Sequence, residues 1–130
     1  MNTQTDERTC ATAPTIPTPP PLALLDASEV AALPRRELSP GVTYAQLWTE
    51  GRSFAGVFHL EPGAAIPEHT HATHCHHVWT LQGQMTILDR ELTPGSYAYV
   101  APGQPHDLVA GPEGATAFYL YLVTAIAPVR

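Results

Sequence analysis

The sequence is poor in basic residues, so it lacks the positive surface that polyanions require. Only 6 of its 130 residues are Lys or Arg, against 12 Asp or Glu, and the net charge is -6. Nucleic acids and anionic membrane surfaces are bound by clustered basic side chains, which this chain does not have. We therefore expect no nucleic-acid partner and no membrane partner.

The sequence also lacks a cysteine framework, a secretion signal and a long apolar run. Its two cysteines, Cys10 and Cys75, are too few for a disulfide scaffold and suit a reducing compartment. The start "MNTQTDERTC" is acidic rather than basic-then-apolar. No apolar stretch approaches the roughly 18 residues of a membrane span. These absences predict a cytoplasmic protein.

The chain that remains predicts one compact domain behind a polar tail. Residues 1–22 include "ATAPTIPTPPP", which has five prolines and no apolar periodicity, so we expect a disordered Pro-rich tail. Residues 23–40 form a lead-in, where "DASEVAALP" predicts a short helix capped by Asp26 or Ser28 and ended by Pro34. Residues 40–126 are long enough for a single hydrophobic core.

Strand signals dominate after the lead-in. Short runs rich in β-branched and aromatic residues alternate with Gly/Pro turns such as "EPG", "TPG", "APGQP" and "AGPEG". This pattern predicts an all-β, mostly antiparallel barrel of jelly-roll type. The predicted strands are "VTYAQLW", "FAGVFHL", "HHVWTLQ", "MTILD", "SYAYV" and "TAFYLYLV".

Histidines are concentrated in one short segment. "HTHATHCHH", residues 69–77, contains five of the seven histidines in the chain. His69 and His71 are two residues apart, so on an extended strand both imidazoles point to the same side and can bind one ion. His106 follows the "APGQP" turn, from which a returning strand can bring a further nitrogen to the same point.

Two segments resemble the motifs of the cupin superfamily. In "GAAIPEHTHATHCHHVWTLQGQ", the glycines Gly63 and Gly83 enclose three histidines at the spacing of the first cupin motif, with His76 where that motif usually has Glu. "GSYAYVAPGQPH" resembles the second motif and ends at His106. The resemblance covers about residues 40–124. It implies a single-domain cupin β-barrel with one metal ion held by His69, His71, His76 and His106.

The third ligand stays open between two histidines. His74 and His76 have the same parity on the predicted strand, although the spacing to Gly83 favours His76. His77 and His59 are interpreted as ordinary strand residues, and Cys75 as an inert buried thiol. The same parity argument places His76, Val78 and Thr80 on one face of their strand.

The donor set indicates the kind of cofactor. Imidazole suits first-row divalent ions, so we expect one such ion per chain: Mn, Fe or Zn, with Ni or Cu also compatible. Four neutral nitrogens leave the +2 charge uncompensated, which favours anionic oxygen donors at any open position. Enolates, phenolates and deprotonated β-diketones are ligands of this kind.

The resemblance implies an enzyme for a small oxygenated or aromatic carbonyl compound. Similar small cupins act as manganese or iron oxygenases, and our first hypothesis is dioxygenase-type chemistry. The alternatives are a non-redox metal-dependent polyketide cyclase or isomerase, and a non-catalytic cupin that binds a metal or a small molecule. The resemblance also implies a homodimer, because pairing through sheet edges would cover the open edges of a jelly roll.

Strand parity suggests a lining for the substrate pocket. Two tyrosine pairs, in "SYAYV" and "FYLYL", either line the barrel or lie on its outside. The predicted pocket residues are His74, Val78, Thr80, Met85, Phe58 and Phe118.

Overall fold

The computed structural model describes residues 22–124 and shows one short helix followed by a set of β-strands. Residues 1–21 of the predicted tail and residues 125–126 of the predicted barrel lie outside the described residues. The helix is α1 (Ala27–Ala31), and the strands are β1 (Arg36–Ser39), β2 (Val42–Glu50), β3 (Ser53–Leu60), β4 (Ala65–His69), β5 (His74–Ile87), β6 (Arg90–Leu92), β7 (Tyr97–Val100) and β8 (His106–Val123).

The predicted helix is confirmed, and Asp26 is its cap. The Asp26 carboxylate accepts a hydrogen bond from the Glu29 backbone N–H at 2.9 Å, and the Glu29 carboxylate accepts one from the Asp26 N–H at 2.8 Å. This reciprocal capping box satisfies amide groups that a helix leaves free at its start. None of the residues of α1 is buried. Within residues 22–124, no helix is long and apolar enough to cross a membrane.

The strands form an antiparallel jelly roll, which confirms the predicted all-β architecture. Hydrogen-bonded neighbours follow the order β1-β2-β3-β8-β5-β6, while β4 pairs with β8 and β7 pairs with β5. The long strands β5 and β8 therefore connect the two ends of the fold. The sheet begins at Arg36, so the end of the lead-in is already part of it.

Two predicted breaks are bulges within strands. "HHVWTLQ" and "MTILD" join into β5, and "AGPEG", which we predicted as a turn, lies inside β8. The pairing of β5 with β8 shifts register between Gly83 and Met85, opposite this segment. Gly83 has a φ of +74°, and a Cβ on it would lie 2.1 Å from the Gly114 carbonyl oxygen. Only glycine permits this close approach of the two strands.

The barrel has a packed interior and an aromatic exterior. The interior cluster includes Val42, Phe58, Val78, Met85 and Tyr119. On the other side, cross-strand pairs join Val57 to Phe118, Phe118 to Trp79, and Trp79 to Tyr97 in one row. We call the surface formed by His77, Trp79, Tyr97, Tyr99 and Phe118 the outer aromatic face.

The structure shows which tyrosine pair faces the barrel interior and which lies on its outside. Tyr97 and Tyr99 lie on the outer aromatic face and are 48% and 53% exposed. Tyr119 is buried in the interior cluster, and Tyr121 packs against it. One pair is therefore external and the other internal.

Candidate metal centre

His69 and His106 face each other on neighbouring strands. They are Cα partners in the β4–β8 ladder, and their ring centroids are 4.3 Å apart. Each ring is fixed by its Nδ1, which lies 2.7 Å from the Pro67 carbonyl oxygen in His69 and 3.0 Å from the Gln104 carbonyl oxygen in His106. A carbonyl only accepts, so both Nδ1 atoms carry the proton and both Nε2 atoms keep a lone pair.

His71 joins this pair from the loop after β4. Its ring centroid is 4.7 Å from that of His69 and 5.4 Å from that of His106. Its carbonyl oxygen accepts a hydrogen bond from the Gly103 N–H at 2.7 Å, which ties the two ligand-bearing loops together. His69, His71 and His106 each have a ring nitrogen within 4.8 Å of the others, so they can hold one metal ion.

His76 lies beside this group on the inner face of β5. It is 9% exposed, and its ring centroid is 4.5 Å from that of His71 and 5.5 Å from that of His106. It falls outside the set whose nitrogens are all within 4.8 Å.

Unpaired buried nitrogens show that the cluster suits a cation. Among the described residues, Nε2 of His71 and Nε2 of His76 are buried without a hydrogen-bond partner. An unpaired buried polar atom is costly, and a metal ion would use both lone pairs. The donor set therefore fits an imidazole-bound divalent ion.

The same burial keeps two of these imidazoles neutral. Desolvation, aided by the neighbouring histidines, lowers the pKa of His71 from 6.5 to about 4 and that of His76 from 6.5 to about 3. Neutral imidazole is the form that binds metals. Both side chains are therefore ready to act as ligands at neutral pH without first losing a proton.

His74 has a different role from His76. Its Nε2 lies 3.0 Å from the Arg52 carbonyl oxygen, and its Nδ1 lies 3.1 Å from Thr73 Oγ1. Its ring stacks on Tyr121 with centroids 4.0 Å apart. Because both nitrogens are already engaged, His74 is a support for Tyr121 in this structure.

Tyr121 contacts the cluster directly. Its hydroxyl oxygen lies 2.8 Å from Nδ1 of His71, and its ring centroid is 4.4 Å from that of His76. Burial raises the pKa of Tyr121, although the Arg52 charge opposes this shift. Burial likewise raises the pKa of Tyr119. Both therefore stay as phenols.

The histidines lie in the wall of an apolar cavity of about 530 Å³. Two predicted lining residues, Phe58 and Val78, line it together with all four predicted ligands. Tyr119 and Tyr121, which the sequence left open, line the cavity as well. The sequence analysis did not name the other apolar wall residues, which are Leu38, Tyr44, Phe54, Ile66, Ile87, Val100 and Leu108.

Four predicted pocket residues do not line this cavity. Phe118 is wrong because it packs on Trp79 of the outer aromatic face, with ring centroids 5.6 Å apart. Thr80 and Met85 face inward but are buried in the core, 2% and 0% exposed. His74 lies behind Tyr121 instead of beside the cavity.

An antiparallel jelly roll with a histidine cluster at one end of its cavity defines the class of cupin proteins. Residues 26–124 match the family model of the ChrR cupin-like domain, so the chain belongs to that family. No curated protein matches the chain in sequence.

Solved structures of low sequence identity share this fold. The polyketide cyclase RemF from Streptomyces resistomycificus is 23% identical, with a TM-score of 0.63 over 82% of this chain and 84% of that one. A chain in the Rhodobacter sphaeroides complex of SigE with the anti-sigma ChrR is 22% identical, with a TM-score of 0.64 over 92% and 66%. KdgF from Halomonas sp. is 18% identical, with a TM-score of 0.65 over 79% and 96%.

Proposed function

We propose that this protein is a metal-dependent enzyme for a small, apolar carbonyl compound that can form an enolate or a phenolate. The main support is the position of the four imidazoles in the wall of a cavity of about 530 Å³ whose other walls are mostly apolar. Such a cavity suits a small ligand with an apolar body and a few polar groups.

The proposed ligands are His69, His71, His106 and, as the fourth, His76. A single first-row divalent ion, Mn, Fe or Zn, suits this donor set, and Ni or Cu is also compatible. Such an ion supplies Lewis-acid polarisation of a carbonyl oxygen or redox chemistry, depending on its identity. An imidazole ligand carries no charge of its own, so four of them would leave the attraction of the ion for an anionic oxygen uncompensated.

The chain's own residues hold and shield the substrate. Phe58, Val78 and Leu108 offer apolar contacts to its body and keep water away from the histidines. The Tyr121 hydroxyl is the polar group nearest to His71 on the β8 wall. Glu68 is exposed at the rim of the cavity, where it can interact with a polar end of the substrate.

Dioxygenase-type cleavage is the first candidate reaction. His69, His71, His76 and His106 would hold the ion, which would supply redox chemistry with dioxygen and a substrate oxygen if it were iron or manganese. An all-imidazole set is also compatible with iron or manganese.

Non-redox cyclisation or isomerisation is the second candidate. The likeness in fold to a polyketide cyclase supports it, as does the tyrosine hydroxyl available to a substrate oxygen. Binding without turnover is the third candidate, supported by a family model built on the cupin-like domain of ChrR, which is an anti-sigma factor.

Elemental analysis followed by turnover with and without dioxygen tests these candidates. The full chain is purified without chelators, beside a His76→Ala variant, and is incubated with 2,4-pentanedione or 2-hydroxyacetophenone. Bound Fe or Mn with oxygen uptake matching substrate loss supports the dioxygenase. Bound Zn with conversion of a probe to a product of unchanged mass under argon supports the cyclase or isomerase, and ligand binding without turnover supports the third candidate. A wild-type chain that takes up no metal contradicts both enzyme proposals.

A further inference from the structure

Tyr121 is held more firmly than a cavity wall requires. It lies opposite His76 on β5 and opposite Phe54 on β3. Four rings surround its own, with centroid distances of 4.0 Å to His74, 4.4 Å to His76, 4.9 Å to Phe54 and 5.0 Å to His71. His74 is itself anchored to the Arg52 carbonyl oxygen at 3.0 Å. The phenol ring therefore has one position, and its hydroxyl has a fixed place beside His71.

The direction of the hydrogen bond between Tyr121 and His71 follows from the other end of the imidazole. Nε2 of His71 is buried and has no hydrogen-bond partner among the described residues. If Nε2 offers a lone pair to a cation, then Nδ1 must carry the proton. The Nδ1–H then donates to the Tyr121 oxygen across the 2.8 Å contact. His69 and His106 show the same arrangement, with Nδ1 donating to a backbone carbonyl.

This direction leaves the tyrosine proton unused. A hydroxyl that accepts from His71 still has its own O–H to donate, and Tyr121 borders the cavity. We propose that Tyr121 determines ligand specificity: it orients His71 for metal binding and donates its O–H to a second oxygen of the bound ligand. The preferred ligands then have two oxygens a few bonds apart, as in β-diketones and ortho-hydroxyphenones.

The inference rests on the proposed function, because it assumes a metal ion among the histidines. It also predicts effects of the Tyr121 hydroxyl that the proposed function alone does not predict. If the histidines bound the metal without help from Tyr121, loss of its hydroxyl would leave the metal affinity unchanged. The loss would also weaken the binding of one-oxygen and two-oxygen ligands equally.

Tyr119 provides a matched control. It is the next inward residue along β8, borders the same cavity and stacks on Phe58 with centroids 4.2 Å apart. In the part of the chain that the structure describes, its hydroxyl makes no hydrogen bond to a histidine. Tyr119→Phe and Tyr121→Phe therefore remove the same atom from two places on one wall.

The test uses the full chain loaded with Co²⁺, whose visible spectrum reports both metal uptake and ligand binding. Azide serves as a probe with a single donor atom and 2,4-pentanedione as the two-oxygen probe. We expect Tyr121→Phe to weaken Co²⁺ binding about 10-fold, as loss of a partner that orients a ligand commonly does. We expect it to weaken pentanedione binding a further 3- to 10-fold, the range for one lost hydrogen bond, with azide affinity little changed.

The outcomes separate the two proposals. A wild-type chain that binds no Co²⁺ overturns the metal site and this inference together. A wild-type chain that binds Co²⁺ and pentanedione, with Tyr121→Phe equal to wild type in both, overturns this inference alone. Equal losses in Tyr119→Phe and Tyr121→Phe also overturn it, because the cause would then be a general change in the wall. If Tyr121→Phe lacks the cooperative thermal unfolding of the wild type, His74→Gln, which removes the aromatic support of Tyr121, should show a smaller loss of the same sign.

Discussion

His69 and His106 are Cα partners across the β4–β8 ladder, and their imidazole centroids are 4.3 Å apart. The β-sheet register thus brings together two residues that are distant in sequence. Because the cluster depends on strand pairing, it forms only when the barrel closes. Substitutions of its histidines can therefore be compared with substitutions of nearby residues on the same strands.

His76 and His74 give the sharpest comparison. We expect His76→Gln to weaken binding of a divalent first-row ion by more than about 10-fold, because its buried Nε2 has no other partner among the described residues. We expect His74→Gln to change metal affinity much less, since both nitrogens of His74 are engaged elsewhere. Isothermal titration of the chelator-treated proteins measures both. Equal losses in the two variants would contradict the assignment of His76.

The metal-free protein should become less stable in mild acid. The pKa of His76 is about 3 and that of His71 about 4 in the fold, against 6.5 in the unfolded chain. Below pH 6.5 the unfolded chain therefore binds more protons than the folded one, and the free energy of unfolding falls as the pH falls. Above pH 7 the two imidazoles are neutral in both the folded and the unfolded chain, so their effect on the free energy of unfolding no longer changes with pH.

Thermal unfolding between pH 7.5 and pH 4.5 measures this dependence. The Tm should fall as the pH is lowered, and His76→Gln should show a shallower fall because one of the responsible groups is gone. The His77→Gln variant changes a half-buried histidine outside the cluster, so it serves as the control and should follow the wild type. A wild-type Tm that does not change over this range would show that these imidazoles already titrate normally in the fold.

Gly83 should tolerate no side chain. A Cβ there would lie 2.1 Å from the Gly114 carbonyl oxygen, whereas Gly63 has the same φ of +74° with nothing within 4 Å of the added atom. We expect Gly63→Ala to lower the free energy of unfolding by about 1–2 kcal/mol, the usual cost of that conformation. Gly83→Ala should cost clearly more, because two strands must also separate. Urea unfolding measures both, and equal losses would show that the clash is relieved without cost.

The expected homodimer remains a prediction, and the outer aromatic face is the surface we propose for it. Tyr97 and Tyr99 are 48% and 53% exposed beside Trp79, and exposed aromatic patches commonly mark interfaces. Tyr99→Glu should therefore shift the protein toward monomer, measured by light scattering after size exclusion. Leu88→Glu, in the exposed turn between β5 and β6, should leave the dimer intact. A wild-type monomer at micromolar concentration would contradict the prediction.

The sequence was most informative where spacing and side-chain type agree. The histidine spacing predicted that His69, His71 and His106 meet, and the alternation along "HVWTLQ" placed His76 and Val78 on the inner face. These predictions depend on short-range geometry, which a strand imposes with a period of two residues.

The sequence was least informative where both faces of a strand are apolar. In "AFYLYL" the residues Phe118 and Tyr119 are equally suited to burial, so the pattern gives no phase, and Phe118 was assigned to the wrong side. "AGPEG" has the composition of a turn, yet it bulges out of a continuous strand, opposite the register shift between Gly83 and Met85 of β5. His74 and His76 share a parity, and only the contacts of the folded chain distinguish them.

The hydrogen bond from the Gly103 N–H to the His71 carbonyl has an evolutionary consequence. It connects the two ligand-bearing loops through main-chain atoms, so this link depends on no side chain that borders the cavity. Wall residues such as Leu38 and Tyr44 come from strands that carry none of the four histidines. Substitution of such residues would change the shape of the cavity without moving the histidines. The same histidine cluster could therefore serve substrates of different shape in related proteins.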